Sequence, residues 1–179
     1  SVRATQAEQA MVRAEQARGR LGTVLPTRER DRRMQVLLAA MAQAEAQGQW
    51  LTPPGESAYD KLRAAQALAP DAPAVKQAAA RLLPAVRTCY EDELRANRIR
   101  RAQACQQAWQ TLQPRDAGLA DARRRLAEKW IAVGSERLGA GDIAFASQAL
   151  DEARRLDATV SGLEDFQARV RLAQAPPPR

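Results

Sequence analysis

The sequence predicts an all-α fold, and three observations carry this prediction. The hydrophobic content, 45% of the 179 residues, comes mainly from Ala and Leu, which favour helices. Val, Ile, Tyr and Phe, which favour strands, are scarce, and aromatic residues make up only 4% of the chain. Apolar residues recur at spacings of three and four, the period of one helix face. We therefore expect helices packed on helices, without a sheet.

Internal repetition organises the chain, because shifting the sequence by 44 residues aligns equivalent positions. The aligned columns are Ala58, Ala102 and Ala146; Leu68, Leu112 and Leu156; Val75, Leu119 and Leu163; Arg81, Arg125 and Arg169; and Leu82, Leu126 and Val170. A unit of this size cannot bury its apolar face alone, so neighbouring units are expected to stack. The sequence therefore predicts a solenoid of antiparallel helical hairpins.

The repeat boundaries predict a single domain over residues 1–175, with about seven helices. Its parts are a partial repeat at 1–26, full repeats at 27–70, 71–114 and 115–158, and a capping helix at 159–175. Residues 176–179, which are rich in proline, form a predicted flexible tail.

Each full repeat contains a break at which its hairpin should turn. The first breaks at the TPPGE stretch of residues 52–56, where two prolines and a glycine cannot continue a helix. The second breaks at Asn97, and the third at residues 139–141, where Asp142 can cap the next helix.

The third repeat contains a spaced set of aromatic and small residues, namely Trp130, Gly134, Gly141, Ala146 and Ala153. This spacing resembles the signature of the tetratricopeptide repeat family, and the resemblance extends over residues 30–172. The resemblance implies an elongated surface that binds extended peptides or protein surfaces. The family's unit has 34 residues, whereas this one has 44, so the first helix of each pair should be longer. HEAT-like repeats, whose period lies in this range, are the second candidate family.

The stretch QGQWLTPPGESAYDKLRAAQALAPDAP, residues 47–73, resembles repeats found outside the membrane in some bacterial anchored proteins. These proteins include receptor-type Ser/Thr kinases, whose extracytoplasmic domains act as sensors. The resemblance implies a periplasmic sensor or scaffold domain of a membrane-anchored signalling protein. The chain has no kinase motif, so a kinase domain would lie elsewhere in a parent protein.

The residue inventory argues against catalysis. The chain has no His, no Gly-rich phosphate loop and no clustered metal ligands, so we predict no catalytic, cofactor or metal site. Acidic pairs such as Glu91 with Glu93, or Asp151 with Glu152, are interpreted as parts of solvated faces, because neighbouring helical residues point apart.

The two cysteines predict either a disulfide or a pair of small buried thiols. Cys89 and Cys105 are sixteen residues apart, with Asn97 midway between them. On one continuous helix they would be about 24 Å apart, but a hairpin at Asn97 makes them facing neighbours. A disulfide would indicate an oxidising compartment, which favours the periplasm over the alternative, the cytoplasm.

The ends of the chain carry a further expectation. The chain begins at Ser1 and contains no apolar run long enough to span a bilayer. We expect a fragment of a longer protein that touches a membrane only through an anchor segment not included here.

Five residues are candidates for partner binding. Arg98, Arg100 and Arg101 cluster near one turn, and with the net charge of +7 they favour a second hypothesis, a basic surface for an anionic polymer. That polymer would be a glycan, lipid headgroups or nucleic acid. Nucleic acid is the least favoured of the three, because acidic residues are interleaved and no exposed aromatics alternate with the arginines. Trp109 either packs against Trp130 in the core or anchors a ligand, whereas Trp50 is expected to be exposed. A homodimer is also possible at an incomplete terminal repeat.

Overall fold

The computed structural model of the chain describes residues 5–14 and 25–178. Within these residues the regular structure consists of helices and contains no strand, which confirms the all-α prediction. The helices are α1 (residues 5–14), α2 (Thr27–Ala46), α3 (Ala58–Leu68), α4 (Pro73–Arg95), α5 (Ile99–Leu112), α6 (Leu119–Gly139), α7 (Ile143–Leu156) and α8 (Leu163–Gln174). The described part thus contains eight helices where about seven were expected, and most of the predicted partial repeat lies outside it.

The predicted hairpin turns are present. Asn97, between α4 and α5, has a φ of 60°, which an asparagine tolerates better than most residues. Gly141 has a φ of 87° in the turn before α7. The side chain of Asp142 then accepts a hydrogen bond from the Phe145 amide at 3.1 Å, which caps α7 as the sequence predicts.

The loop between α2 and α3 contains the TPPGE stretch. It ends at Ser57, whose Oγ accepts a hydrogen bond from the Asp60 amide at 3.1 Å and so caps α3. The Asp60 carboxylate in turn accepts from the Gly55 amide at 2.7 Å. These bonds fix the start of α3 because they satisfy amides that lack a partner within the helix.

The chain divides into two compact units. The first unit spans Ser1–Ala78, and the second unit spans Ala79–Arg179. In the first unit α2 packs against α3, and its core includes Met34, Met41 and Leu62.

In the second unit α6 packs against α5, α7 and α8. The fully buried side chains there include Leu82, Leu126, Trp130 and Phe166. Gly134 allows the helices to approach closely, because a Cβ at this position would lie 2.6 Å from the Phe166 ring and 2.8 Å from the Ala149 Cβ. Among the helices described, none is long and apolar enough to cross a membrane.

Candidate functional site

The second unit contains a groove that we call the glutamine groove. It has a volume of about 520 Å³ and is lined by one face of α5, by Arg123 of α6 and by the last turns of α7. The α5 side is formed by Gln103, Gln106, Gln107, Gln110, Thr111 and Pro114, and the α7 side by Glu152, Arg155 and Leu156. A volume of several hundred Å³ is typical of ligand pockets.

Helix periodicity explains why four glutamines share this groove. They occupy positions i, i+3, i+4 and i+7 of α5, which lie on one face of a helix. Gln106 is only 2% exposed, whereas Gln107 and Gln110 are exposed to solvent. The groove therefore has a buried polar floor and accessible carboxamides above it.

Hydrogen bonds orient the glutamines of the floor. The Trp130 Nε1 donates a hydrogen bond to Gln103 Oε1 at 2.8 Å, and the side-chain Nε2 of Gln103 donates one to Glu152 Oε2 at 2.9 Å. The side-chain Nε2 of Gln106 donates a hydrogen bond to Gln110 Oε1 at 3.0 Å. Because a tryptophan only donates and a carboxylate only accepts, the Gln103 carboxamide has one preferred orientation.

Two arginines form the end of the groove beside α7. Arg123 donates to the carbonyl of Leu156 at 3.1 Å and to that of Arg155 at 3.4 Å. These are carbonyls of the last helical turn, which lack partners within the helix. The Arg155 guanidinium pairs with Glu152 at 2.9 Å. Arg123 of α6 thus holds the end of α7, while Arg155 and Glu152 pair with each other within α7.

The structure brings Cys89 and Cys105 to disulfide distance, with their Cα atoms 5.9 Å apart. This confirms the prediction that the hairpin at Asn97 makes them facing neighbours. Cys105 is 1% exposed and immediately precedes Gln106, so the link joins α4 to the helix that forms the glutamine face.

Trp109 is buried, with 7% of its surface exposed. Its Nε1 donates to Asp116 at 3.1 Å, and its ring meets that of Tyr90 edge-on at 5.8 Å. The structure pairs Trp130 with Phe145, at 6.2 Å between ring centroids, rather than with Trp109. Burial favours a core-filling role for Trp109 over that of an exposed ligand anchor.

The three candidate arginines lie at the start of α5 and do not line the glutamine groove. Arg98 donates to Glu93 at 2.6 Å, and this contact holds the pKa of Glu93 below its usual range. Arg100 lies over the Trp130 ring, 5.3 Å from its centroid, and Arg101 is exposed.

Trp50 belongs to the first unit, in the loop that precedes α3. It is half-buried rather than fully exposed, and its carbonyl accepts from the Tyr59 amide at 3.0 Å.

The glutamine face was not predicted from the sequence, where cysteines, tryptophans and clustered arginines were the candidate residues. The signal that could have found it is the spacing of the four glutamines between residues 103 and 110. That signal alone is ambiguous, because glutamines at helical spacing also occur on ordinary solvated faces.

Among the residues described, no group of three or more His, Cys, Asp or Glu side chains is placed to hold a metal ion. No protein-family model, curated protein or solved structure matches the chain. Function is therefore inferred from the geometry of the chain itself.

Proposed function

We propose that this chain is a non-catalytic, tetratricopeptide-like repeat domain that binds a protein or peptide segment in the glutamine groove. The observation that carries the proposal is the groove itself, an open polar channel with accessible carboxamides on α5 and an ordered wall on α7. Carboxamides both donate and accept hydrogen bonds, so they suit a polar ligand without requiring a charged one.

Contacts at positions 44 residues apart support the repeat part of the proposal. The turn residues Asn97 and Gly141 both have positive φ. Glu93 pairs with Arg98 across the first of these turns, and Arg137 pairs with Asp142 across the second, with the two charges exchanged. Such equivalent contacts are expected when one structural unit is repeated along the chain.

A second pair of contacts supports the repeat in the core. The Tyr90 hydroxyl donates to the Ala122 carbonyl at 2.8 Å, so a large residue on α4 meets a small one on α6. Forty-four residues further on, Gly134 of α6 meets Phe166 of α8, so the small residue now precedes the large one. In both places one large and one small residue meet between two helices, and only the order of the two along the chain differs.

The charged side chains that line the groove support binding rather than catalysis. Arg123 holds the end of α7, while Arg155 and Glu152 pair with each other. General acid–base catalysis needs a group positioned to exchange a proton with a substrate, and these groups are occupied by structural contacts.

The cysteine pair supports an extracytoplasmic location, because disulfides persist mainly in oxidising compartments. We therefore propose that the domain lies in the periplasm, as the sensor or scaffold part of a membrane-anchored signalling protein. The anionic-polymer alternative has less support, since Arg98 is paired with Glu93 and Arg100 lies over Trp130.

Selection of peptides tests the binding function. A random library of linear peptides is selected on the wild-type protein, and the affinity of the enriched peptides is measured by calorimetry. Gln107→Leu keeps the approximate size of the side chain and removes its hydrogen bonds, so we expect affinity to fall on the order of tenfold.

The matched control is Gln43→Leu, the same change at an exposed position of α2 that does not line the groove. Affinity should be unchanged in that variant. Enriched peptides that bind wild type and Gln107→Leu equally well would contradict the proposed site, and the absence of any enriched peptide would contradict the proposed function.

A further inference from the structure

We propose that Pro84 makes α4 a hinge, at which the helix bends while its last part stays fixed to α5 and α6. The hinge does not depend on what the glutamine groove binds, because it arises from the backbone of α4 and from contacts within the chain.

Pro84 interrupts the backbone hydrogen bonds of α4. The helix runs from Pro73 to Arg95, so this proline lies at its centre. A proline has no N–H group, so the carbonyl of Ala80, four residues earlier, loses its usual helical partner, and the proline ring crowds that carbonyl. Sharp kinks in helices are found mainly at such residues. We therefore expect α4 to bend most easily between Ala80 and Pro84.

Packing does not account for a proline at this position. Pro84 is exposed to solvent, so it fills no space in the core. The residues at multiples of 44 positions from it are Ala40 in α2, Glu128 in α6 and Leu172 in α8, which all favour helices. The repeat thus accepts ordinary helix-forming residues in this column, and of these four positions only the one in α4 has a proline.

Contacts with neighbouring helices hold the part of α4 that follows the hinge. Three of them lie within seven residues after Pro84 and reach the next two helices. They are Cys89 with Cys105 of α5, and Tyr90 with Ala122 and Glu91 with Arg125 of α6. A bend at Pro84 leaves these contacts in place, because all of them lie on one side of it.

The boundary between the two compact units falls in the same stretch of α4. It lies between Ala78 and Ala79, less than one helix turn before Ala80. The residues of α4 before this boundary belong to the first unit, and those after it belong to the second unit. The proline and the boundary are separate observations, and both place the hinge in the middle of α4.

The glutamine groove is formed by parts of the chain that follow the hinge. Its lining comes from α5, α6, α7 and the residue Pro114. Because α5 and α6 are joined to the last part of α4, bending moves the residues before Pro84 and leaves the groove unchanged. The hinge thus allows movement along the chain without a change in the binding site.

Distance measurements within α4 test the hinge on the full chain. Nitroxide labels are attached to a ketone amino acid introduced at the exposed positions of Gln77 and Arg95, so the native cysteines are not used. These positions are separated by five helix turns, so the labels share one face and the Cα atoms of a straight helix would be about 27 Å apart. Double electron–electron resonance gives the distribution of the distance between the two labels.

Helix α6 supplies the matched control. Asp121 and Gly139 are equivalent to Gln77 and Arg95 in the repeat, are also exposed, and have no proline between them. We expect the distance distribution in α4 to be on the order of twice as wide as that in α6, because a hinge samples several bend angles.

Two variants show whether the proline is the cause. Pro84→Ala restores the missing N–H group and should narrow the α4 distribution to the width found in α6. Glu128→Ala, a change to Ala at the equivalent position of α6, should alter neither distribution. Equal widths in α4 and α6 of the wild type, or an α4 width that Pro84→Ala does not change, would overturn the hinge.

A third pair of labels, at Arg95 and Gly139, tests whether the last part of α4 stays fixed. Both positions follow the hinge, so their distance distribution should be narrow and the same in wild type and Pro84→Ala. A wide distribution that Pro84→Ala narrows would mean that the last part of α4 moves as well, which contradicts its fixed attachment to α5 and α6.

Discussion

The side-chain hydrogen bonds described in the two units of the chain differ in range. Around α2 and α3 of the first unit, polar contacts such as Arg32 with Glu29 and Ser57 with Asp60 join residues three apart. In the second unit, Arg125 bonds to Glu91 across 34 positions of the sequence. Contacts of the second kind join different helices, so they fix tertiary packing as well as local structure.

A second feature of the second unit is the stacking of arginines over its aromatic rings. The second unit contains five aromatic residues, and each ring has an arginine guanidinium within 4.8 to 5.7 Å of its centroid. The pairs are Arg87 over Trp109, Arg100 over Trp130, Arg125 over Tyr90, Arg137 over Phe145 and Arg169 over Phe166. Arginine suits this position because its planar group stacks on rings and is weakly hydrated.

This arrangement changes the meaning of the positive net charge. A chain with 28 Lys and Arg residues and no His invites the hypothesis of an anionic partner. In the second unit, however, many arginines cover the rings of the core or pair with carboxylates. Where aromatic residues are few, long arginine side chains can complete the packing at the surface.

The largest expected effect comes from the link between Cys89 and Cys105. It closes a loop of sixteen positions, for which the chain-entropy model predicts about 3 kcal/mol of stabilisation. Reduction should lower the urea midpoint accordingly, and hydrogen exchange should increase more in α5 and α6 than in α2 and α3. A double Cys→Ala variant is the control, since reductant should not affect it. An equal increase in hydrogen exchange in all four helices would mean that the cysteine link does not stabilise the second unit more than the first.

The next effect tests close helix packing. In the first unit Gly48 and Gly55 serve turns, with positive φ and open space where a Cβ would be, whereas Gly134 lies inside α6 against Phe166 and Ala149. Gly134→Ala should cost about 1 to 2 kcal/mol, because overpacking outweighs the gain in helix propensity. Urea unfolding followed by Trp fluorescence measures the change.

Gly139→Ala is the matched control in the same helix, since nothing lies within 4 Å of an added Cβ there. That change should be neutral or slightly stabilising. The double variant Gly134→Ala with Phe166→Leu should be more stable than the sum of the single changes predicts, because the smaller side chain makes room. Equal costs at Gly134 and Gly139 would show that close approach is unimportant.

The predictions from sequence succeeded where the signal was local. Asn97 and Asp142 were recognisable as turn and cap residues, because their side-chain chemistry acts within a few positions. The meeting of Cys89 and Cys105 followed from one such turn, since a hairpin pairs residues symmetric about its centre.

The prediction failed where the outcome depended on neighbouring helices. Helical spacing places Trp109 and Trp130 on apolar faces, but it does not say which ring each one meets, and they pair with Tyr90 and Phe145. The glutamine groove was missed for the same reason. Gln107 lines a groove because α7 supplies the opposite wall.

The smallest expected effect on stability comes from single carboxylates, and one from each unit is compared. Hydrogen bonds from Arg125 hold the pKa of Glu91 below its usual range, and those from Arg33 and Arg32 do the same for Glu29. A depressed pKa in the folded state stabilises the protein above the unfolded pKa, near 4.5, and this contribution is lost as pH falls through the lower folded value. Glu91→Gln should therefore cost stability at pH 7 and little at pH 3.

The two carboxylates should differ in the size of this effect. The Glu91 side chain is 45% exposed, so the pair with Arg125 is worth about 0.5 kcal/mol after solvent screening. Among the described residues, Glu29 pairs only within about one helix turn of α2, with Arg32 and Arg33. Glu29→Gln should therefore change the urea midpoint less at every pH. Urea unfolding of both variants at pH 7 and pH 3 measures the difference. An equal loss in the two variants at pH 7 would mean that the longer-range contacts of the second unit add no stability beyond local ones.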